Sequence, residues 1–202
     1  MKQRFTQLLL IFTAVFGFQY GQAQITFNKQ SHSPLDPSWA TTFKTLWLID
    51  GNLWCVGSNG TYSKRNGTTW VKDQMPNTSV SNRSIALDNQ SNLWVGTFGD
   101  GLFKLEGSTW TQLVQSNSIL PSEYIPALLF DTIQHDLWIA TYDGLVRKNG
   151  DIWQLYNTGN SQLADNEVTG IQQAADGAIW VVNGHGLTKI HNNIWTTYTS
   201  SQ

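Results

Sequence analysis

The chain has 202 residues, of which 13% are charged, with 12 lysines and arginines against 14 aspartates and glutamates for a net charge of −2. It contains no run of lysines or arginines, and a duplex binder needs a clustered basic face to release counterions, so the composition argues against nucleic acid as a partner. The lone cysteine leaves no intrachain disulfide, and hydrophobic residues at 40% are enough for one domain with a sizeable core.

Lys2 and Arg4 precede an apolar run from Leu8 to Phe18, and Gly21-Gln22-Ala23 then supplies small residues at the −3 and −1 positions of a cleavage site. This order predicts a secretory signal peptide over 1–23 and a mature domain over 24–202. The apolar run falls short of the roughly 20 residues a spanning helix needs, so no membrane anchor is expected. A lipid-anchored product would need a cysteine just after the site, and the only one is Cys55. The expected location is outside the cytoplasm, periplasmic or extracellular.

From there the chain repeats. Leu53-Trp54 returns as Leu93-Trp94, Leu137-Trp138 and Ile179-Trp180, and each pair is followed by a second tryptophan, Trp70, Trp110, Trp153 and Trp195. A period of roughly 40 residues that reads as several short strands means propeller blades rather than helical solenoids. The blades fall at about 40–73, 82–114, 125–157 and 168–199. Blade two shows the pattern: Ser84–Leu87, a turn, Leu93–Thr97, the Gly99-Asp100-Gly101 turn, Leu102–Leu105, a turn, Thr109–Leu113. Tight Gly and Asn turns between β-prone runs predict antiparallel hairpins. Blade one is less regular, with Phe43–Ile49 and Leu53–Gly57 joined by only Gly51-Asn52. Upstream, Ile25–Phe27 fits an additional outer strand whose own blade is missing. The predicted fold is all-β, a propeller-like array of four four-stranded antiparallel blades plus that N-terminal strand.

The segments Asn92-Leu93-Trp94-Val95-Gly96-Thr97-Phe98-Gly99-Asp100-Gly101-Leu102, Asp136 to Leu145 and Asp176-Gly177-Ala178-Ile179-Trp180 resemble two-component regulator propeller repeats. The resemblance covers about Ile25 to Tyr198. It implies an extracytoplasmic propeller of the kind that serves as the sensor part of membrane histidine kinases. This sequence stops at Gln202 without a transmembrane helix or kinase and has fewer blades than the larger rings usual in the family, so the signalling role is not carried over with the repeat.

The tryptophans Trp54, Trp70, Trp94, Trp110, Trp138, Trp153, Trp180 and Trp195 are read as packing residues, since large side chains at fixed strand positions fill the wedge between neighbouring sheets. Trp39 and Trp47 lie outside the register. Cys55 stands where Val95, Ile139 and Val181 stand in the other blades and is read as a small buried residue. Asp50, Asp88, Asp131 and Asp176 fall in turns, which Asp closes through local hydrogen bonds, and no alternating oxygen ligands end in a Glu, so no metal and no cofactor is expected. His32, His135, His185 and His191 lack metal-ligand spacing.

In a four-stranded blade the inter-blade linkers and the turn between strands two and three emerge at the same end. That end gathers Asn59, Phe98, Asp100, Tyr142, Asp143 and His185 from the turns, with Arg83, Glu123, Tyr124, Asn166 and Glu167 from the linkers. Aromatic, acidic and amide groups together suit a glycan, peptide or protein ligand. The favoured function is therefore a noncatalytic exported propeller that recognises such a ligand, without catalytic residues. One alternative is a streptogramin-lyase-like propeller enzyme, for which His185 and Glu167 are the available pair. Another is a truncated paralogue of a longer sensor with no independent function. The blades either close as a ring of four, with Ile25–Phe27 added outside blade four, or stay open and bury their ends in a homodimer; the small blades favour the closed monomer.

Overall fold

Short β-prone runs separated by Gly, Asn and Asp turns leave each strand no nearer partner than the next one along the chain. The result in the computed structural model is four sheets in chain order. It describes residues 43–199 except 50–51, 58–59, 67–68 and 77–80. These residues belong to one compact unit, Pro37–Gln202; the expected leader over 1–23 and the expected strand Ile25–Phe27 lie outside the described residues.

Blade one comprises β1 Phe43–Ile49, β2 Asn52–Gly57, β3 Thr61–Asn66 and β4 Thr69–Gln74. Blade two comprises β5 Asn82–Leu87, β6 Leu93–Thr97, β7 Leu102–Glu106 and β8 Thr109–Leu113. Blade three has β9 Ala127–Asp131, β10 Asp136–Thr141, β11 Gly144–Asn149 and β12 Ile152–Tyr156, and blade four has β13 Val168–Gln173, β14 Ile179–Asn183, β15 Gly186–His191 and β16 Ile194–Thr199. Every sheet is an antiparallel meander. The all-β, four-bladed reading of the sequence holds. Strand limits move by a residue or two for a local reason: β5 and β13 each start two residues earlier than the alternation suggests, and a register shift separates the added residue, Asn82 or Val168, from the rest of its strand. Such a bulge breaks the period-two pattern by which a strand is recognised.

β1, β5, β9 and β13 lie side by side, so the first strand of each blade faces its neighbours. The core sits between the sheets in three clusters. At the first junction Trp54, Val56 and Tyr62 meet Ile85, Leu93, Val95 and Phe103. At the second, Ala86, Trp94 and Leu102 meet Leu128, Leu137, Ile139 and Val146. At the third, Trp138, Ala140 and Leu145 meet Val168, Ile179, Val181 and Ile190. One rule generates all three: the tryptophan face of a blade packs on the face of the next blade that carries the residues flanking its own tryptophan. Trp54, Trp94 and Trp138 are accordingly buried, while Trp110, Trp153 and Trp195 pack on the cluster edges from the fourth strands. Trp70 holds the same register position in β4, opposite Arg65.

Cys55 is free and buried as expected, and burial pushes its thiol ionisation up, partly offset by a hydrogen bond with Ser63. The turn acids close turns. Asp88 accepts the Gln90 and Asn92 N–H groups at 3.0 and 2.8 Å and the Trp94 indole N–H at 2.9 Å. Burial opposes its charge, but these donors outweigh burial and leave its carboxyl below the ordinary range. Asp131 and Asp176 accept backbone N–H groups from their own turns in the same way.

The expectation of a closed four-blade ring is not met. Closure would cover the tryptophan face of blade four with blade one, as Ala140 and Leu145 are covered in blade three, both 0% exposed. The matching residues in blade four, Val182 and Leu187, are 43% and 41% exposed, and Trp180 is only half-buried. Among the described residues no contact comparable with those between successive first strands runs from β13 back to β1. Each of the three described wedges is filled by the next blade in sequence, and no described blade covers the tryptophan face of the fourth.

The two kinds of tryptophan environment predict different energetics. Trp94→Ala should cost about 3–5 kcal/mol, the usual loss for a buried aromatic, and Trp180→Ala less than about half of that. Urea unfolding of both variants checks this; equal losses would mean that blade four is covered in solution.

Candidate functional site

The linker between blades two and three is drawn onto the second turn of blade two by backbone pairing. The Ile125 N–H donates to the Thr97 carbonyl at 2.8 Å, the N–H groups of Gly99 and Gly101 both donate to the Glu123 carbonyl at 3.2 and 3.0 Å, and Phe98 and Tyr124 form an antiparallel bridge. Ile125 can approach this closely because residue 96 is glycine. A Cβ there would meet Ser84 Oγ at 2.3 Å and Ile125 Cγ2 at 2.6 Å, and Ser84 Oγ itself donates to the Ile125 carbonyl at 3.2 Å. The turn is closed by buried Thr97, whose hydroxyl donates to the Gly101 carbonyl at 2.7 Å and accepts the Asp100 N–H at 3.1 Å. Thr141 does the same in blade three with Gly144 and Asp143.

This scaffold sets three rings together. Phe98 and Tyr124 meet edge to face with centroids 4.8 Å apart, Tyr124 and Tyr142 stack at 5.5 Å, and Phe98 and Tyr142 meet edge to face at 6.0 Å. The Tyr142 N–H donates to the Tyr124 carbonyl at 3.3 Å, so the third ring is tied in through its backbone as well. The Arg83 guanidinium lies 4.5 Å from the Phe98 centroid, within cation–π range. Even so, the three rings remain 37–41% exposed. Aromatic side chains that contact one another and still face solvent present flat apolar area that the core does not use.

Of the residues expected at this end, Arg83, Phe98, Tyr124 and Tyr142 are thus brought together. Glu123 and Asp100 contribute main-chain groups, the latter accepting the Gln112 side-chain amide at 2.9 Å. Asp143 is exposed in the adjoining turn. Asn59 lies outside the described residues.

A second group forms in blade four. His185 pairs through Nδ1 with Asp165 Oδ2, and Asp165 Oδ1 accepts the Glu167 N–H at 3.1 Å. The Glu167 N–H, and after it the His185 partner, hold the Asp165 carboxyl below its ordinary range. The pair imagined from sequence, His185 with Glu167, is therefore replaced by His185 with Asp165. Asn166 is turned away, its Oδ1 accepting the Thr158 N–H at 2.8 Å. Asp165 was legible in principle: an Asp two residues before a residue whose N–H it can accept is an Asx-turn signal. Among the described residues no three His, Cys, Asp or Glu side chains gather as a metal site requires.

The stacked four-stranded meanders, with linkers and second turns at one end, define the chain as a β-propeller array. Within it, residues 74–99 match the family model for the two component regulator propeller. None of the curated proteins matches it. Among solved structures it is similar to the extracellular domain of the hybrid two component system BT3049 from B. thetaiotaomicron, at 20% identity and a TM-score of 0.66 over 79% of this chain and 23% of that one. It is also similar to a streptogramin B lyase, at 16% identity and 0.62 over 78% and 54%, and to virginiamycin B lyase from Staphylococcus aureus, at 14% and 0.63 over 82% and 58%. The chain thus spans about a quarter of the extracellular domain and little more than half of each lyase. The shared property is the fold.

Gly96→Ala should destabilise the protein by about 1–3 kcal/mol, the cost of overpacking a filled site, and should loosen the aromatic cluster because the linker must move off β6. Near-ultraviolet circular dichroism and thermal unfolding read both effects. An unchanged aromatic signal would show that the linker does not depend on the close approach at Gly96.

Proposed function

We propose that the protein is a noncatalytic, exported β-propeller that recognises a ligand through the linker and second-turn end of its blades. The observation that supports this most is the convergence of Arg83, Phe98, Tyr124 and Tyr142 into one half-exposed aromatic cluster, fixed by backbone hydrogen bonds on two neighbouring blades. Ordering costs little when the rings are already in place, so most of the contact energy would be kept on binding. A glycan or peptide offers the flat apolar face and polar rim that such a cluster and the neighbouring Asp143 suit. The similarity in fold to an extracellular sensor domain is in keeping with this reading.

A glycan array and a peptide library probed with the purified protein supply the test. For the best ligand found, Tyr142→Ala, Asp143→Ala and His185→Ala should each weaken binding while shifting stability by less than about 0.5 kcal/mol for the two exposed polar residues and about 1 kcal/mol for the tyrosine. Glu106→Ala and Asn149→Ala, at the other end of the blades, serve as controls. Loss of binding in the controls with retention in the first three would reverse the assignment of the face.

A second reading rests on the Asp165–His185 pair and the lyase-like fold: a carboxylate that orients an imidazole is one part of a general base. Measurable ring opening of a streptogramin B substrate, lost in His185→Ala, would favour it over simple recognition.

Export belongs to the same proposal and has its own measurement. Mass spectrometry of protein expressed with its leader should find a chain beginning at Gln24, and a membrane-inserted species retaining Met1 would reject it.

A further inference from the structure

Each blade places a cation opposite its strand-two tryptophan: Lys64 across from Trp54, Lys104 from Trp94, Arg147 from Trp138 and Lys189 from Trp180. All four lie over the indole, at 5.2, 5.6, 5.4 and 5.6 Å from the ring centroid. Three are also anchored by an acid, Lys104 by Glu106 at 2.8 Å, Arg147 by Asp136 at 2.6 Å and Lys189 by Asp176 at 3.3 Å. Among the described residues Lys64 has the face of Trp54 and no acid.

The same tryptophan has a second unmet donor. Trp94 gives its indole N–H to Asp88, six residues earlier, but the residue six before Trp54 is Leu48, and the Trp54 N–H is buried with no acceptor. Trp138 also lacks an acceptor for its N–H, but its cation is tied to Asp136, so only the first blade combines both defects.

Trp54 and Lys64 border a cavity of about 480 Å³ between blades one and two, walled by Tyr62, Leu87, Leu93 and Leu105. At the next junction the position of Leu105 is held by Lys148, whose ammonium lies over both Trp94 and Trp153 at 5.7 and 5.6 Å. A leucine in that place packs on the cluster of the first tryptophan but brings no second cation to it. The carboxylate that lines the cavity, Asp73, is already engaged by the Tyr62 hydroxyl at 2.8 Å and the Gln74 N–H at 2.7 Å. The cavity therefore has an apolar and aromatic wall and an ammonium that makes no ion pair among the described residues. Gln90 to Asn92 and Gly107, from the first and third turns of blade two, also border it, which puts it at the opposite end of the blades from the aromatic cluster.

We propose that this cavity binds a small organic acid with an apolar body, its carboxylate at the Lys64 ammonium and its apolar part against Trp54, Leu87 and Leu105. A cavity of this size is in the range of small-molecule sites, and charge complementarity selects the anion over its neutral and cationic isosteres.

Titration calorimetry of the protein with phenylacetate, 2-phenylethanol and phenethylammonium tests it. Phenylacetate should bind at least tenfold more tightly than the alcohol, and the ammonium should bind least. K64M should remove the preference for the acid without lowering the melting temperature, K64R should retain it, and K104M, the anchored counterpart, should leave it unchanged, as should Tyr124→Ala at the other end. If K64M proves unstable, K64Q, which removes the charge and keeps a polar head, makes the same comparison with K64R. Absence of phenylacetate binding, equal affinity for acid and alcohol, or an equal effect of K104M would overturn the proposal.

Discussion

A four-stranded sheet of this composition has two apolar faces, and neither can be left in water without cost; the protein is built by making each sheet the cover of the one before it. The strand-two tryptophan is the residue on which that arrangement rests, because it is large enough to fill the wide part of the wedge between two twisted sheets. Its neighbours follow from it. The cation opposite lies over its ring, the acid in the first turn takes the indole N–H in blade two, and the tryptophan of the following blade's fourth strand seals the cluster edge. Where one of these companions is missing, as around Trp54, a cavity results rather than a collapsed junction.

That dependence explains what was legible in the chain. Leu-Trp or Ile-Trp pairs and second turns that end in glycine recur with the blade, so blade number, strand order and the end at which linkers and second turns meet could all be read from spacing. The clustering of Phe98, Tyr124 and Tyr142 followed from the same topology, since a linker and two second turns at one end must come close. The bulges in β5 and β13 were not legible, because an inserted residue erases the alternation by which a strand is seen. Asp165 was legible only as a turn residue; its pairing with His185, in place of the neighbouring Asn166 and Glu167, follows from the path of the linker. Closure was misjudged because small blades are compatible with a small ring, whereas the angle between successive sheets is fixed by side-chain volume at each wedge and carries no local signature.

The two ends of the blades are finished by different chemistry. At one, buried Thr97 and Thr141 clamp the second turns and leave aromatic and acidic side chains facing outward, whereas blade four uses Asn183, whose side chain donates to the Asp165 carbonyl at 3.2 Å. At the other, Asp88, Asp131 and Asp176 fold the first turns onto themselves. Acidic residues therefore serve as structural fasteners at one end and as exposed polar groups at the other, and composition alone does not separate the two uses.

Exposure of Val182, Leu187 and Tyr198 also has a dynamic meaning. In a stack where each unit is stabilised by its neighbours, local opening is easiest where a neighbour is lacking, so amide exchange in β13 to β16 should be governed by fraying of a single blade rather than by global unfolding. The Asp165–His185 pair belongs to that loosely held blade, while the aromatic cluster stands on the junction of blades two and three, each supported on both sides. The surface thus joins a rigid half to a compliant half, and a molecule that spanned both would tighten the compliant one as it bound.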